Sequence, residues 1–594
     1  MNALKRIIGL IGICWLTILN VNAQRPNIVL ILTDDQGYGD LGCTGNPWIQ
    51  TPNIDQLYAR SIRFTDFHVA TTCAPTRAGL LTGKNCNRVG AWHTIQGRQI
   101  LRKEEQTLAQ LLKNAGYRTG IFGKWHLGDN YPFRPQDRGF DEVLIHGGGG
   151  VTQTPDFWEN DYFDDTYYHN GKPQKYAGYC TDVWFQEATK FIQSNRKNPF
   201  FCYIATNAPH SPFNVDEKYS KPYENNPAIP NANFYGMITN IDEQVGRLVE
   251  QLKKDGLYEN TIFIFMTDNG TSAGVRFDEN RKVVAGYNAG MRGTKASPYD
   301  GGHRVPFILH WPKGGIKQGK DIHQLAAYTD VVPTLLDLCK VPKPKSIDFD
   351  GISLKPWIQQ NPVKTIERVL VADVQREEFL VKWKQSAVMT PQWRLINGTE
   401  LYDITQDKAQ EKSVAQQHPD VVARLKEAYE KWWEKVSIKA DEYSRVEVGT
   451  PFEPITQLTA HDLHTEAGFP AWNQDMVRGG TGVGGFWALN VAKAGRYQIE
   501  LRRYPIESGL SLGASAKQGS DVPGGKPYTA GKPLTIQKAR LKLGEKQLEQ
   551  AVSNTEVASV FTLELEKGDL DLAASLLDAE NKSYSPYYVY IKPL

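Results

Sequence analysis

Ile28-Val29-Leu30-Ile31-Leu32-Thr33-Asp34-Asp35-Gln36-Gly37 is the stretch that decides the architecture. Five apolar residues in a row, without polar alternation, describe a strand buried on both faces. The run then breaks into an acidic turn. Similar apolar runs recur at 200–205, 262–266 and 305–310. Between them lie patterns with helical spacing at 106–115, 182–194 and 234–255. Gly116 and Gly256 stop the first and last of these, where a helix end favours a residue tolerant of positive φ. Strands alternating with helices predict an α/β fold: a large, mainly parallel central sheet with helices on both faces. In such sheets ligands bind beyond the carboxyl ends of the strands. The turn at Asp34-Asp35 and the turn Thr267-Asp268-Asn269-Gly270 therefore face one crevice.

The chain has 594 residues, enough for several cores. The α/β pattern occupies 24–345. At 346–446 the texture changes to a strand pair, 393–396 and 400–403, followed by an amphipathic helix at 419–436, which predicts a smaller α+β subdomain. From 447 to 594 the chain is rich in glycine and turn residues. Alternating runs at 497–501, 561–565 and 587–591 predict a C-terminal antiparallel β-sandwich. Trp472, Trp487 and Tyr497 fit its core, which favours packing against the preceding domain over glycan binding.

Residues 1–23 read as an export signal: Lys5 and Arg6, an apolar stretch at 7–19, then Val21-Asn22-Ala23 at the cleavage spacing. The stretch is too short for a spanning helix, so no transmembrane anchor is expected. Export places the protein in the periplasm or outside the cell. A net charge of +2 with no basic run argues against a nucleic-acid partner. Beyond the signal the cysteines are Cys43, Cys73, Cys86, Cys180, Cys202 and Cys339. Their spacing forms neither a disulfide framework nor a paired metal motif. Cys202, inside an apolar run, reads as core.

The polar groups at the strand ends carry the chemistry. Asp34, Asp35, Asp268 and Asn269 make an all-oxygen donor set that suits Ca²⁺ or Mg²⁺ better than zinc. The alternative is that each cluster caps the next helix. Lys124 and His126 follow the strand-like segment 116–123, His210 follows 200–205, and Lys295 sits in a glycine-rich loop before the next strand. Cys73 precedes Pro75, which favours a first helical turn, so its side chain lies at a helix N-terminus, where an anion is stabilised. A cysteine-nucleophile hydrolase and a structural cysteine are both open at this point.

The order of these segments resembles the formylglycine-dependent sulfatases of the alkaline phosphatase superfamily. Asp-Asp-Gln-Gly at 34–37 is followed by Cys-Ala-Pro-Thr-Arg at 73–77 and Gly-Lys-Trp-His at 123–126. Pro-His at 209–210, Thr-Asp-Asn-Gly at 267–270 and the glycine-flanked Lys295 complete the series, which runs from about 25 to 338. Phe122 and Asp300 depart from the usual pattern without touching a proposed catalytic group. The resemblance implies that Cys73 is oxidised to formylglycine by a maturation enzyme, and that Asp34, Asp35, Asp268, Asn269 and residue 73 bind one calcium ion. Arg77 would hold the modified side chain, and Lys124 and Lys295 the sulfate oxygens. His210 would protonate the leaving oxygen, and His126 would deprotonate the second hydroxyl of the hydrate. The implied activity is sulfate ester hydrolysis. A phosphodiesterase or phosphonate hydrolase of the same superfamily is the enzymatic alternative, and an inactive secreted glycan-binding protein the other.

Export and the terminal sandwich together point to a sulfated polysaccharide or its oligosaccharides as substrate. The insertion that runs from His146 through Gly147-Gly150 to Trp158, Asp161, Tyr162 and His169 has the composition of a sugar-lining wall or of a structural loop. His93, Arg98, Trp158, His303 and Arg304 are the expected substrate contacts.

Overall fold

A computed structural model of the protein describes residues 25–279, 281–359 and 364–594. The export signal expected at 1–23 lies outside them. Ten strands form the central sheet: β1 (Asn27–Thr33), β2 (Ile62–Phe64), β3 (Arg118–Lys124), β4 (Glu142–His146), β5 (Thr166–His169), β6 (Lys172–Lys175), β7 (Phe200–Ala205), β8 (Thr261–Thr267), β9 (Phe307–His310) and β10 (Lys320–Ile322). Their order is β10-β2-β9-β8-β1-β7-β3-β4-β5-β6. The five central strands β8, β1, β7, β3 and β4 run parallel. β9 pairs antiparallel with β8, and β5 and β6 close the other edge as an antiparallel pair.

Both faces of this sheet are covered, as the unbroken apolar runs require. In β1 the side chains of Ile28, Leu30 and Leu32 join the core formed with α1 (Cys73–Thr82) and α2 (Leu108–Asn114). Val29 and Ile31 point the other way, toward α3 (Cys180–Ser194) and α4 (Ala232–Lys254). Each such side chain, fully buried, contributes on the order of 1.5–3 kcal/mol. Helix α2 starts two residues later than its periodicity suggests because Thr107 caps it, accepting from the Gln110 amide in a reciprocal capping box. Gly116 and Gly256 adopt φ of 88° and 69° behind their helices, as expected.

Strands Leu370–Ala372, Ala387–Met389, Trp393–Ile396 and Glu400–Asp403 form an antiparallel sheet. Helix α5 (Pro419–Val436) lays Val421, Leu425 and Tyr429 on it. The C-terminal residues build two further sheets, of six and four strands, antiparallel except where Val446–Val448 pairs parallel with Phe486–Val491. Trp487 and Tyr497 are core residues of this sandwich, as expected, whereas Trp472 is only half-buried.

The core of the sandwich continues into the α/β domain through Ile100, Phe133 and Trp158. Trp158 therefore does not line a sugar wall. It is buried against the edge of Tyr504, with ring centroids 5.4 Å apart, and under the Arg478 guanidinium at 5.0 Å. None of the six described cysteines is paired, and Cys202 is core. No described helix is long and apolar enough to cross a membrane.

Candidate active site

The parallel strands deliver their terminal residues to one place. β1 hands over Asp34 and Asp35, β8 hands over Asp268 and Asn269, and β3 ends on Lys124. α1 begins with Cys73, after an extended Thr72, and ends on Gly83 at φ 69°. Cys73 is 2% exposed, and its Sγ lies within 4.8 Å of carboxylate oxygens of Asp34 and Asp35. The Asp35 amide donates to Asp268 Oδ1 at 3.0 Å, and Asn269 Nδ2 donates to Asp35 Oδ1 at 3.0 Å. The four oxygen-bearing residues expected as cation ligands are thus brought together with Cys73.

Three cations lean on the cluster. Lys124 Nζ lies 2.6 Å from Asp34 Oδ2, and Lys295 Nζ lies 2.6 Å from Asp35 Oδ1 and 3.9 Å from Cys73 Sγ. Arg77, one helical turn after Cys73, reaches Asp268 Oδ2 at 2.9 Å and the Lys124 carbonyl at 3.1 Å. Asp34 Oδ1 and Asn269 Oδ1 are nevertheless buried without a partner. Burial and the neighbouring Asp34 push the Asp268 carboxyl above the usual range. Burial acts the same way on Asp35, but Lys295 and His210 outweigh it and hold that carboxyl low. A buried set of oxygens with two free acceptors and a carboxyl resisting ionisation fits one hard cation.

Burial also raises the Cys73 thiol, against the pull of Lys124 and Lys295. The unmodified side chain is thus a thiol rather than an activated thiolate, which disfavours the cysteine-nucleophile reading. The two expected proton carriers differ. His126, at φ 61°, has Nε2 2.8 Å from the Thr94 carbonyl, which fixes the proton there and leaves Nδ1 free. Burial pushes its pKa well below 6.5, so the ring is a neutral base. His210 has Nδ1 2.6 Å from the Ser211 carbonyl and turns Nε2 toward Asp35 Oδ2 at 3.8 Å. Burial lowers it to about 4, so the ligand-free ring is neutral too. Gly149 lies so close that a Cβ there would sit 2.3 Å from the His126 ring.

The surroundings of the expected substrate contacts differ from residue to residue. Arg98 is buried between domains, paired with Glu378 at 3.1 Å and stacked on Trp92 and Tyr443. His303 faces His68, Nδ1 to Nδ1 at 2.9 Å, and Arg304 binds the Thr65 carbonyl. His93 is buried, with Nδ1 bonded to the amides of Thr94 and Ile95. Arg98, His303 and Arg304 are engaged by their own surroundings, whereas His93 keeps a buried Nε2 without a partner. Two histidines not singled out as site residues do adjoin the site. His146, opposite Lys124 in the β3–β4 register, is fully buried with Nε2 unpartnered. Its position at a strand end was the available signal. His461, from the sandwich, has its ring centroid 6.0 Å from that of His126. No local pattern marks it.

Residues 26–341 match the sulfatase family, and residues 294–435 match the C-terminal region of N-sulphoglucosamine sulphohydrolase. Mouse N-acetylgalactosamine-6-sulfatase is 33% identical over 358 residues, 56% of this chain and 66% of that protein. Human arylsulfatase A is 33% identical over 366 residues, 57% of this chain and 68% of that protein. The chain thus spans about two thirds of the length of these relatives. The crystal structure of Ps i-CgsB in complex with k-i-k-neocarrahexaose superposes with a TM-score of 0.61 at 30% identity, covering 71% of this chain and 95% of that one.

Proposed function

The chain belongs to the sulfatase family, and on that premise we propose that it is an exported sulfuric ester hydrolase acting on a sulfated polysaccharide or its oligosaccharides. One observation carries the reading: the free, buried oxygens of Asp34 and Asn269 converge with Asp35, Asp268 and Cys73 where two neighbouring strands end. Asp34, Asp35, Asp268 and Asn269 would hold one calcium ion, which supplies positive charge for a sulfate oxygen. Oxidised to formylglycine by a maturation enzyme, residue 73 supplies a hydrated aldehyde, one hydroxyl for attack on sulfur and the second for release of sulfate.

The other side chains bind, orient and move protons. Lys124 and Lys295 are released from Asp34 and Asp35 to meet the sulfate oxygens, where charge must be stabilised during transfer. Arg77 fixes Asp268 and the base of the nucleophile helix. His126 Nδ1 accepts a proton, its tautomer set by the Thr94 carbonyl. His210 Nε2 gives a proton to the leaving oxygen. Its ring is neutral in the free enzyme, and the negative charge of a bound sulfate ester favours the imidazolium. Export rests on the residues at 1–23. A glycan substrate is favoured by the relatives' names and by the neocarrahexaose bound to the structural neighbour.

The test is to produce the protein with a formylglycine-generating enzyme, measure the mass of the peptide containing Cys73, and assay sulfate release from sulfated oligosaccharides with and without a calcium chelator. Modified peptide, activity and chelator sensitivity are expected together. Full activity from an unmodified cysteine sinks the reading.

A further inference from the structure

The sandwich is more than an appendage, because its first segment reaches the two loops that flank His126. On one side, the Gln96 amide donates to the His461 carbonyl at 2.8 Å. The Gln99 amide group bonds to Asp462 Oδ1 and lies 3.3 Å from His461 Nδ1, which is itself 3.0 Å from Asp462 Oδ1. Gly97 is pressed so closely on His464 that a Cβ would lie 2.5 Å from its Nε2. On the other side, the Thr154 amide and hydroxyl donate to the Trp472 and Ala471 carbonyls at 3.0 and 2.6 Å.

The loop so held carries the Thr94 carbonyl that sets the His126 tautomer. Gln96 and His126 both adopt the left-handed region, at φ 64° and 61°. Side chains rarely adopt that backbone unless their surroundings over-determine it. His461 is fully buried, with its ring against His126 and its Nε2 unpartnered.

We propose that the sandwich is a working part of the active site, and that His461, braced by Asp462 and Gln99, is a positioning residue for His126. It holds the Thr94 carbonyl on His126 Nε2, so that Nδ1 stays the free nitrogen. This rests on the role given to His126 above.

The test uses the full chain, matured at position 73. His461→Ala is expected to lower kcat roughly tenfold to a hundredfold with KM little changed, the cost of a displaced reacting group. His461→Asn, whose amide can take the place of the imidazole Nδ1, should recover part of the rate. Since alanine also removes buried packing, Asp462→Asn is measured alongside, with the melting temperature of each variant. The direct readout is the ¹⁵N signal of His126 in histidine-labelled protein. The wild type should show the Nε2–H tautomer, and His461→Ala and Asp462→Asn a mixture. An unmoved tautomer signal in both variants, or unchanged kcat in both, overturns the inference. Absence of sulfate release by the wild type counts against the function proposed above, whereas the tautomer signal judges this inference on its own.

Discussion

At the ends of β1 and β8, three aspartates, an asparagine and Cys73 meet Lys124, Lys295 and Arg77. Beside β9, His68, His303, Asp66 and Asp300 meet Arg394. Both clusters are buried, and both bring potential metal-ligating atoms within 4.8 Å of one another. They differ in what is left over. In the second, His68 binds His303 and Asp66, His303 also reaches the Pro298 carbonyl, and Arg394 bridges Asp300 and Asp66 at 2.9 Å each. In the first, Asp34 Oδ1 and Asn269 Oδ1 have no partner. An unpaired buried oxygen costs free energy that evolution can remove easily by substitution. Its presence beside two other carboxylates fits the cation proposed above. The satisfied cluster is instead a staple, since Arg394 stands on the strand Trp393–Ile396 and ties that sheet to the α/β domain.

The contrast can be broken or sharpened by substitution. Cys73→Ala should abolish turnover, a loss of at least about a thousandfold in sulfate release. Residual activity near wild type would place the nucleophile elsewhere. Asp34→Asn should remove a ligand with little change in shape, so that both activity and calcium-induced stabilisation fall. For the wild type that stabilisation is about 2.7 kcal/mol when free ion is a hundredfold above Kd. Calorimetry should also show ion affinity falling with pH sooner than for ordinary aspartates, because the raised Asp268 carboxyl takes up a proton that the ion must displace.

His210→Ala should cost about 10²–10⁴ on sugar sulfates and less on aryl sulfates, whose leaving groups need little protonation. The pH window follows from its depressed pKa: the acid form of the free enzyme is lost as pH rises through about 4, so kcat/KM on sugar sulfates should decline from there upward while that on aryl sulfates holds. Equal slopes for the two substrates would remove His210 from the proton path. Arg394→Met should have the smallest effect on kcat of folded protein. It should nevertheless lower stability by about 3–5 kcal/mol, because Asp66 and Asp300 lose their shared cation. A large fall in kcat at unchanged stability would move the staple into the site.

Much of the architecture was legible. The strands at 200–205, 393–396 and 400–403 and the helix at 419–436 coincide with the observed elements. Composition and periodicity report burial on one or both faces, and that is local information. That Asp34, Asp35, Lys124, Asp268 and Asn269 would meet was legible because they stand at the ends of apolar runs, and parallel strands bring their ends together. The surroundings of the expected substrate contacts were not. Arg98, His303 and Arg304 lie near motifs in sequence, but each side chain is consumed by carboxylates, rings or carbonyls from distant segments. Trp158 shows the same limit, being aromatic for the sake of the sandwich core.

The sequence by itself determined the elements, the chemical groups at their ends and the family they resemble, because strand burial and terminal motifs are written in neighbouring residues. Only the tertiary structure decided which oxygens stay unpaired, which histidine nitrogen is free, and that the sandwich touches the site. Those facts depend on contacts such as Gln99 with His461, 362 residues apart in the chain. Partners so remote leave no periodic trace, and their pairing is set by how whole layers dock.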